Sequence, residues 1–155
     1  MMTKIDPKDV QRLRSESGAG VMDCKRALED AGGDYEKALG LLKQRGLESV
    51  AKKSGREAKE GVIASYIHGN GRVGSLVELA SETDFVSRGE EFQKLAREIA
   101  MQVAAMEPAT IDELLEQPYI RDGSKKIKDL VTEVAATTKE NVHVRRIQRF
   151  ALGES

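Results

Sequence analysis

Apolar residues recur at the helical spacing over the first 46 residues and predict three short helices. Asp6-Pro7 is typical of a helix start, and Gly18 is expected to end that first helix. A second helix is expected over residues 22–31 and a third over about 35–46. The predicted inward positions are Val10, Leu13, Met22, Ala27, Leu28, Ala31, Tyr35, Ala38, Leu41 and Leu42. We therefore expect a small helical domain over residues 1–46.

Residues 47–60 lose this periodicity and carry charges of both signs. A basic arm that binds nucleic acid is one interpretation. The interleaved acidic residues and the lack of aromatic residues favour a solvated helical linker instead.

A β-hairpin is expected next, because residues 62–68 and 72–80 are rich in β-branched and apolar residues around Gly69-Asn70-Gly71. Gly69, Gly71 and Gly74 also match the glycine spacing of dinucleotide-binding loops. That motif requires a helix after the glycines, whereas a strand follows here. We therefore expect no nucleotide cofactor.

The remaining sequence predicts a core of mixed helix and strand. Apolar positions from Phe92 to Met106 indicate a long helix, Thr110 and Ser124 are expected to cap two more helices, and residues 142–152 read as a strand. The prediction over residues 61–155 is a three-stranded antiparallel sheet packed with helices, so the fold class is α+β.

Composition narrows the class of partner. Lys and Arg total 25 and Asp and Glu total 26, so the chain lacks the excess of basic charge typical of proteins that bind nucleic acids or membranes. No apolar stretch follows the amino-terminal Met1 to Pro7 segment, and Cys24 is the single cysteine. These features predict a cytoplasmic protein in a reducing compartment with a protein as its partner.

No arrangement of residues typical of an enzyme is found. His68 and His143 are the two histidines, and neither lies in a recognisable motif with a nucleophile. Cys24 with Asp23 has neither the ligand number nor the spacing of a zinc site. We expect no catalytic residue, no metal and a buried structural role for Cys24.

The segment Ser81-Glu82-Thr83-Asp84-Phe85-Val86 stands out, because a large aromatic residue follows a carboxylate where a strand gives way to a helix. Phe85 has two interpretations. It caps the core between helix and sheet, as most Phe residues do, or it points outward as a probe for a partner.

Four segments together resemble the elongation factor Ts family, the guanine-nucleotide exchange factors of translation. They are Gly18 to Leu28, Glu57 to Ile63, Thr83 to Val86 and Val144 to Phe150, in this order. The resemblance implies a ubiquitin-associated-like fold for the first domain. It also implies exchange by binding, without covalent chemistry, on the translational GTPase elongation factor Tu.

The resemblance further implies two contact sites. Thr83, Asp84, Phe85 and Val86 are expected to bind the partner, with Asp84 and Phe85 inserted near its Mg²⁺ site. Gly18, Ala19, Gly20, Val21 and Met22 are expected to dock on its nucleotide-binding domain. Longer members carry a second core half that is missing here, so a homodimer is expected to supply it.

Two rival functions remain open at this point. A ubiquitin-associated-type adaptor accounts for the helical domain but not for the Asp84-Phe85 pair. An RNA-binding protein is suggested by Arg145, Arg146 and Arg149, although stacking aromatics are few and the net charge is -1.

Overall fold

Three helices form the first part of the computed structural model, which describes residues 4–154 of the chain. They are α1 (Pro7–Ser17), α2 (Val21–Asp30) and α3 (Tyr35–Lys53). The Asp6 side chain accepts a hydrogen bond from the Lys8 N–H at 2.9 Å, as its predicted capping role requires. Part of the amino-terminal segment used above, residues 1–3, lies outside the described residues.

The helices pack around a small apolar core, and contacts divide the chain into the units Met1–Lys52 and Lys53–Ser155. The buried residues of the first unit are Leu13, Cys24, Ala27, Leu28, Ala31, Ala38 and Leu42. Cys24 is thus a buried helix residue, as expected. The inward position predicted for Met22 is wrong, because its side chain is 56% exposed at the start of α2.

The predicted end of the third helix near Gly46 is also wrong, since α3 continues to Lys53. Glycine inside a helix costs only about 1 kcal/mol relative to alanine, and the residues from Leu47 to Lys53 are mostly good helix formers. The first part of the segment taken as a linker is therefore a continuation of α3.

The second unit is built on a three-stranded antiparallel sheet in the order β1 (Glu60–His68), β2 (Val73–Ser81) and β5 (His143–Ala151). Val77 in the central strand pairs with Ala64 on one side and Ile147 on the other. Gly61 has φ 147°, and a Cβ there would lie 2.1 Å from the Leu79 carbonyl oxygen. Only glycine fits at this close approach of two strands.

Helices cover one face of this sheet. The strands contact α4 (Asp84–Ser87), α5 (Glu90–Met106) and α6 (Ile111–Glu116), whereas α7 (Ile127–Thr138) packs on α5 and α6. α5 packs against all three strands and places the fully buried Phe92, Ile99 and Val103 in the core. The α+β fold class and the three-helix first unit are confirmed.

A second, two-stranded sheet of β3 (Pro118–Tyr119) and β4 (Asp122–Lys126) was not predicted. The buried Gln102 side chain of α5 donates to the Pro118 carbonyl at 3.1 Å and accepts from the Ile120 N–H at 3.1 Å. Tyr119 donates to Glu98 at 2.7 Å, and burial together with this hydrogen bond raises the pKa of Tyr119 to about 12. Strands this short leave no alternating pattern to read.

The cap predicted for Ser124 is wrong, because Ser124 lies in β4 and α7 begins after Lys126. The Asp129 carboxylate accepts from the Lys126 N–H at 2.8 Å and closes the start of the helix instead. The cap predicted at Thr110 is confirmed by its 3.1 Å bond from the Glu113 N–H.

Candidate functional site

The predicted contact residues Thr83 to Val86 lie where β2 ends and the one-turn helix α4 begins, and the first three residues of α4 are among them. We call residues 82–86 the contact corner. Thr83 is the N-cap of α4, and its hydroxyl oxygen accepts from the Val86 N–H at 3.4 Å. The buried Ser81 hydroxyl donates to the Thr83 carbonyl at 2.9 Å. Side chains on both sides of the turn therefore hold its backbone in place.

Phe85 and Val86 point in opposite directions from this turn. Val86 is buried, and α4 packs against β1, β2 and α5. Phe85 is 86% exposed. The alternative that Phe85 caps the core is thus wrong, and the buried Val86 anchors the turn.

Asp84 is also available at the surface. Its carboxylate lies 3.4 Å from the Arg88 guanidinium, and both side chains are well exposed. An exposed ion pair of this kind contributes little to stability, so Arg88 can be released at low cost. The corner therefore presents one carboxylate and one aromatic side chain, adjacent in sequence and both open to solvent.

Glu140 is a residue of this corner that sequence reasoning missed. One carboxylate oxygen accepts from the Glu82 N–H at 3.0 Å and from the Thr83 N–H at 2.9 Å. The other accepts from the Thr83 hydroxyl at 2.6 Å. Glu140 lies 57 residues from Thr83 in the chain, and no periodicity or motif links the two.

The second predicted contact segment, Gly18 to Met22, joins α1 to α2. Gly18 ends α1 in the left-handed conformation with φ 72°, where glycine is favoured. Gly20 precedes α2, which begins with the exposed Val21 and Met22. Ala19 packs against the core, so this short turn presents two apolar side chains to solvent.

Other residues considered for chemistry have ordinary roles. His68 shares a 3.1 Å hydrogen bond with the Tyr66 hydroxyl. Arg146 is paired with Glu78 at 2.6 Å and Arg149 with Glu107 at 2.9 Å, so two of the three arginines considered for RNA binding are engaged within the chain.

Two further properties concern the part of the chain that the structure describes. Over residues 4–154, no group of three or more His, Cys, Asp or Glu side chains is arranged to hold a metal ion. Within the same residues, none of the helices combines the length and the apolar character needed to cross a membrane.

Comparison with known proteins decides the family. The family model described as Elongation factor TS matches residues 82–155. Elongation factor Ts of Carboxydothermus hydrogenoformans is 43% identical, and the alignment covers 97% of this chain and 90% of the relative. Elongation factor Ts of Thermodesulfovibrio yellowstonii is 41% identical over 97% of this chain and 98% of the relative. The chain belongs to the elongation factor Ts family.

The resemblance stated from the sequence is thereby confirmed, and the family is one of translation elongation factors. The family-model match begins at Glu82, at the contact corner. The alignment with the Carboxydothermus elongation factor Ts extends over 195 residues although this chain has 155. The relative therefore carries residues that have no counterpart here.

Proposed function

We propose that the chain is a guanine-nucleotide exchange factor for elongation factor Tu and that it acts by binding, without covalent chemistry. The observation that carries the proposal is Phe85, which is 86% exposed on a hydrogen-bonded corner beside Asp84 in a member of this family. An aromatic side chain so exposed gains free energy only by burial against a partner.

The proposed mechanism follows from how GTPases hold their nucleotide. Backbone N–H groups cradle the phosphates, and Mg²⁺ bridges phosphate to protein. A rigid aromatic side chain inserted between partner helices, with a carboxylate beside it near the Mg²⁺ site, displaces the groups that hold the ion. Both sources of nucleotide affinity then weaken together.

Linkage sets the thermodynamic consequence. If binding of this chain lowers the affinity of elongation factor Tu for GDP by some factor, GDP lowers the affinity for this chain by the same factor. A transient ternary complex is sufficient for GDP to leave, and abundant GTP then displaces the factor. We place this cycle in the cytoplasm, with no direct contact to nucleic acid or membrane.

We propose that Gly18 to Met22 forms a second contact, on the nucleotide-binding domain of elongation factor Tu. The exposed Val21 and Met22 side chains provide apolar area, and the glycines on either side of Ala19 allow close approach of the backbone. This contact is expected to supply affinity for elongation factor Tu, whereas the contact corner is expected to lower the affinity of elongation factor Tu for GDP.

We also propose that two copies pair through the sheet face that the helices leave open, and that this dimer is the active exchange factor. That face exposes Ile63, Ile67, Leu76 and Phe150, beside a hollow of about 590 Å³. Isolated monomers rarely expose so many neighbouring apolar side chains. Glu78 and Arg146 lie on the same face and are paired within the chain, so a two-fold arrangement offers both charges to the other copy.

Release of labelled GDP from elongation factor Tu, with and without this chain, tests the proposed function. We expect release to accelerate with increasing concentration of the chain. Unchanged release together with binding to a ubiquitin-like surface would favour the adaptor alternative. Affinity for RNA that falls steeply with salt would favour the RNA-binding alternative.

Deletion of the first unit is expected to weaken docking while leaving the sheet unit folded. The deletion should begin the chain at Lys53, because a cut at Gly46 falls inside α3. Loss of the apolar contact, about 1.5–3 kcal/mol for one buried side chain, raises the half-maximal concentration for GDP release by about 10- to 150-fold. Calorimetry checks that the shortened chain still unfolds cooperatively.

A point variant provides the matched control for the deletion. Met22→Ala is expected to raise the half-maximal concentration, whereas Leu47→Ala removes a similarly exposed side chain from α3 and leaves it unchanged. Equal effects of the two substitutions would contradict a specific contact at Gly18 to Met22.

A further inference from the structure

A segment close to the C-terminal end of the chain forms hydrogen bonds with the corner that carries Asp84 and Phe85. The loop between α7 and β5 contains Glu140, which accepts three hydrogen bonds from Glu82 and Thr83, and Asn141, whose N–H donates to the Glu82 carboxylate at 2.7 Å. The two segments therefore hold each other through bonds in both directions.

The same network of hydrogen bonds extends to the start of the second unit. The buried Asn141 side chain donates to the Ser54 carbonyl at 3.2 Å and to the Arg56 carbonyl at 2.7 Å. The Arg56 guanidinium lies 3.7 Å from the Glu82 carboxylate. Three segments, residues 54–56, 82–83 and 140–141, thus form one polar cluster behind the corner.

Glu140 is the residue of this cluster that accepts hydrogen bonds from the Glu82 and Thr83 backbone N–H groups. These two groups lie between β2 and α4 and have no partner within a helix or strand. The bonds are charge-assisted and therefore stronger than bonds between neutral groups. They orient the peptide planes directly before α4, and those planes set the direction from which Asp84 and Phe85 leave the surface. Phe85 itself, being exposed, has little packing to hold its position.

We propose that Glu140 is a positioning residue for nucleotide exchange, which orients the Asp84-Phe85 corner without contacting the partner's nucleotide site. The inference rests on the proposed exchange function. Glu140 then affects the rate of GDP release in the bound complex rather than the affinity of docking.

Two conservative variants separate the effect of side-chain length from the effect of side-chain charge. Glu140→Gln keeps the length of the side chain and one carbonyl oxygen that can accept from both the Glu82 and Thr83 N–H groups. Glu140→Asp keeps the charge but is one methylene group shorter, so its carboxylate is withdrawn from both. If Glu140 acts by position, we expect Gln to retain most of the exchange rate and Asp to lose most of it.

The measurement is stimulated GDP release from elongation factor Tu as a function of the concentration of each variant. Glu140→Asp and Glu140→Ala are expected to lower the maximal release rate by about 10- to 100-fold, as misplacement of a functional group by about 1 Å does. The half-maximal concentration should change little. Hydrogen exchange at the Glu82 and Thr83 amides should be faster in both variants and near the wild-type rate in Glu140→Gln.

Glu116→Ala is the matched control. Glu116 also accepts hydrogen bonds through both carboxylate oxygens, from Lys126 at 2.8 Å and Lys128 at 2.9 Å, and these lower the pKa of its carboxyl to about 2. It lies on α6, outside the polar cluster, so its removal is expected to leave the maximal release rate unchanged.

A double variant tests whether Glu140 acts through Phe85. If it does, Glu140→Asp lowers the maximal rate strongly in the wild-type background and little in a Phe85→Ala background. Additive losses, or a Gln variant that is impaired while Asp is not, would overturn the proposal. Failure of the exchange function would appear in the wild-type chain, whereas failure of this inference would appear only among the variants.

Discussion

Phe85→Ala is expected to slow stimulated GDP release severely while leaving the fold intact. Burial of one Phe side chain is worth about 1.5–3 kcal/mol, so its loss from the rate-determining complex lowers the maximal release rate by about 10- to 150-fold. Because the side chain is 86% exposed, the free energy of unfolding should change by less than about 0.5 kcal/mol. Fluorescence of labelled GDP gives the rate, and denaturant titration gives the stability.

Phe92→Ala is the control for this substitution. Phe92 is 1% exposed and packs in the core from α5, so its truncation should destabilise the chain by about 3–5 kcal/mol. Asp84→Ala is expected to reduce the release rate less than Phe85→Ala does. Full exchange activity in a folded Phe85→Ala protein would contradict the proposed insertion of Phe85.

The second large effect is expected at the open face of the sheet, where Leu76→Glu should separate the proposed dimer. A two-fold axis brings the same face of both copies together, so the substitution places two unpaired carboxylates in an apolar contact. Like charges brought together in this way cost several kcal/mol, which raises the dimer dissociation constant by more than about 100-fold. Sedimentation equilibrium at micromolar concentration measures the change in mass.

The wild-type chain should sediment at twice the 17.0 kDa of one copy, and Leu76→Glu at the mass of one copy. Met106→Glu is the control, because Met106 is as exposed as Leu76 but lies at the end of α5. Reductant should have no effect, since Cys24 is buried in the first unit. A wild-type monomer that exchanges nucleotide at the full rate would refute the dimer as the active form.

Regular elements with a strong period were predictable from the sequence, and irregular ones were not. The β1–β2 hairpin and α5 follow from alternation and from the helical period, which act over neighbouring residues. The end of α3 at Lys53 and the start of α7 after Lys126 were misread. Gly46 indicates a helix end, but the helix formers that follow it continue α3. Ser124 indicates a helix start, but pairing with β3 places Ser124, Lys125 and Lys126 in β4.

The contact corner also combines features that the sequence predicts with features that only the tertiary structure decides. The sequence predicted that Thr83, Asp84, Phe85 and Val86 follow the end of a strand, and it also indicated the family in which this segment occurs. The sequence left two orientations of Phe85 open. Burial of Val86 on the opposite side of α4 decided between them, because a one-turn helix cannot bury both side chains against the same sheet.

By itself, the amino-acid sequence determined the fold class and the family and indicated the two segments that we propose as contacts, since each rests on local periodicity or on a short ordered motif. Tertiary structure alone decided that Phe85 is exposed and that Glu140 and Asn141 form hydrogen bonds with the corner that presents it. Those bonds join residues 57–59 positions apart. Hydrogen bonds between such distant segments leave no period in the sequence and form only when the sheet brings the ends of β2 and α7 together.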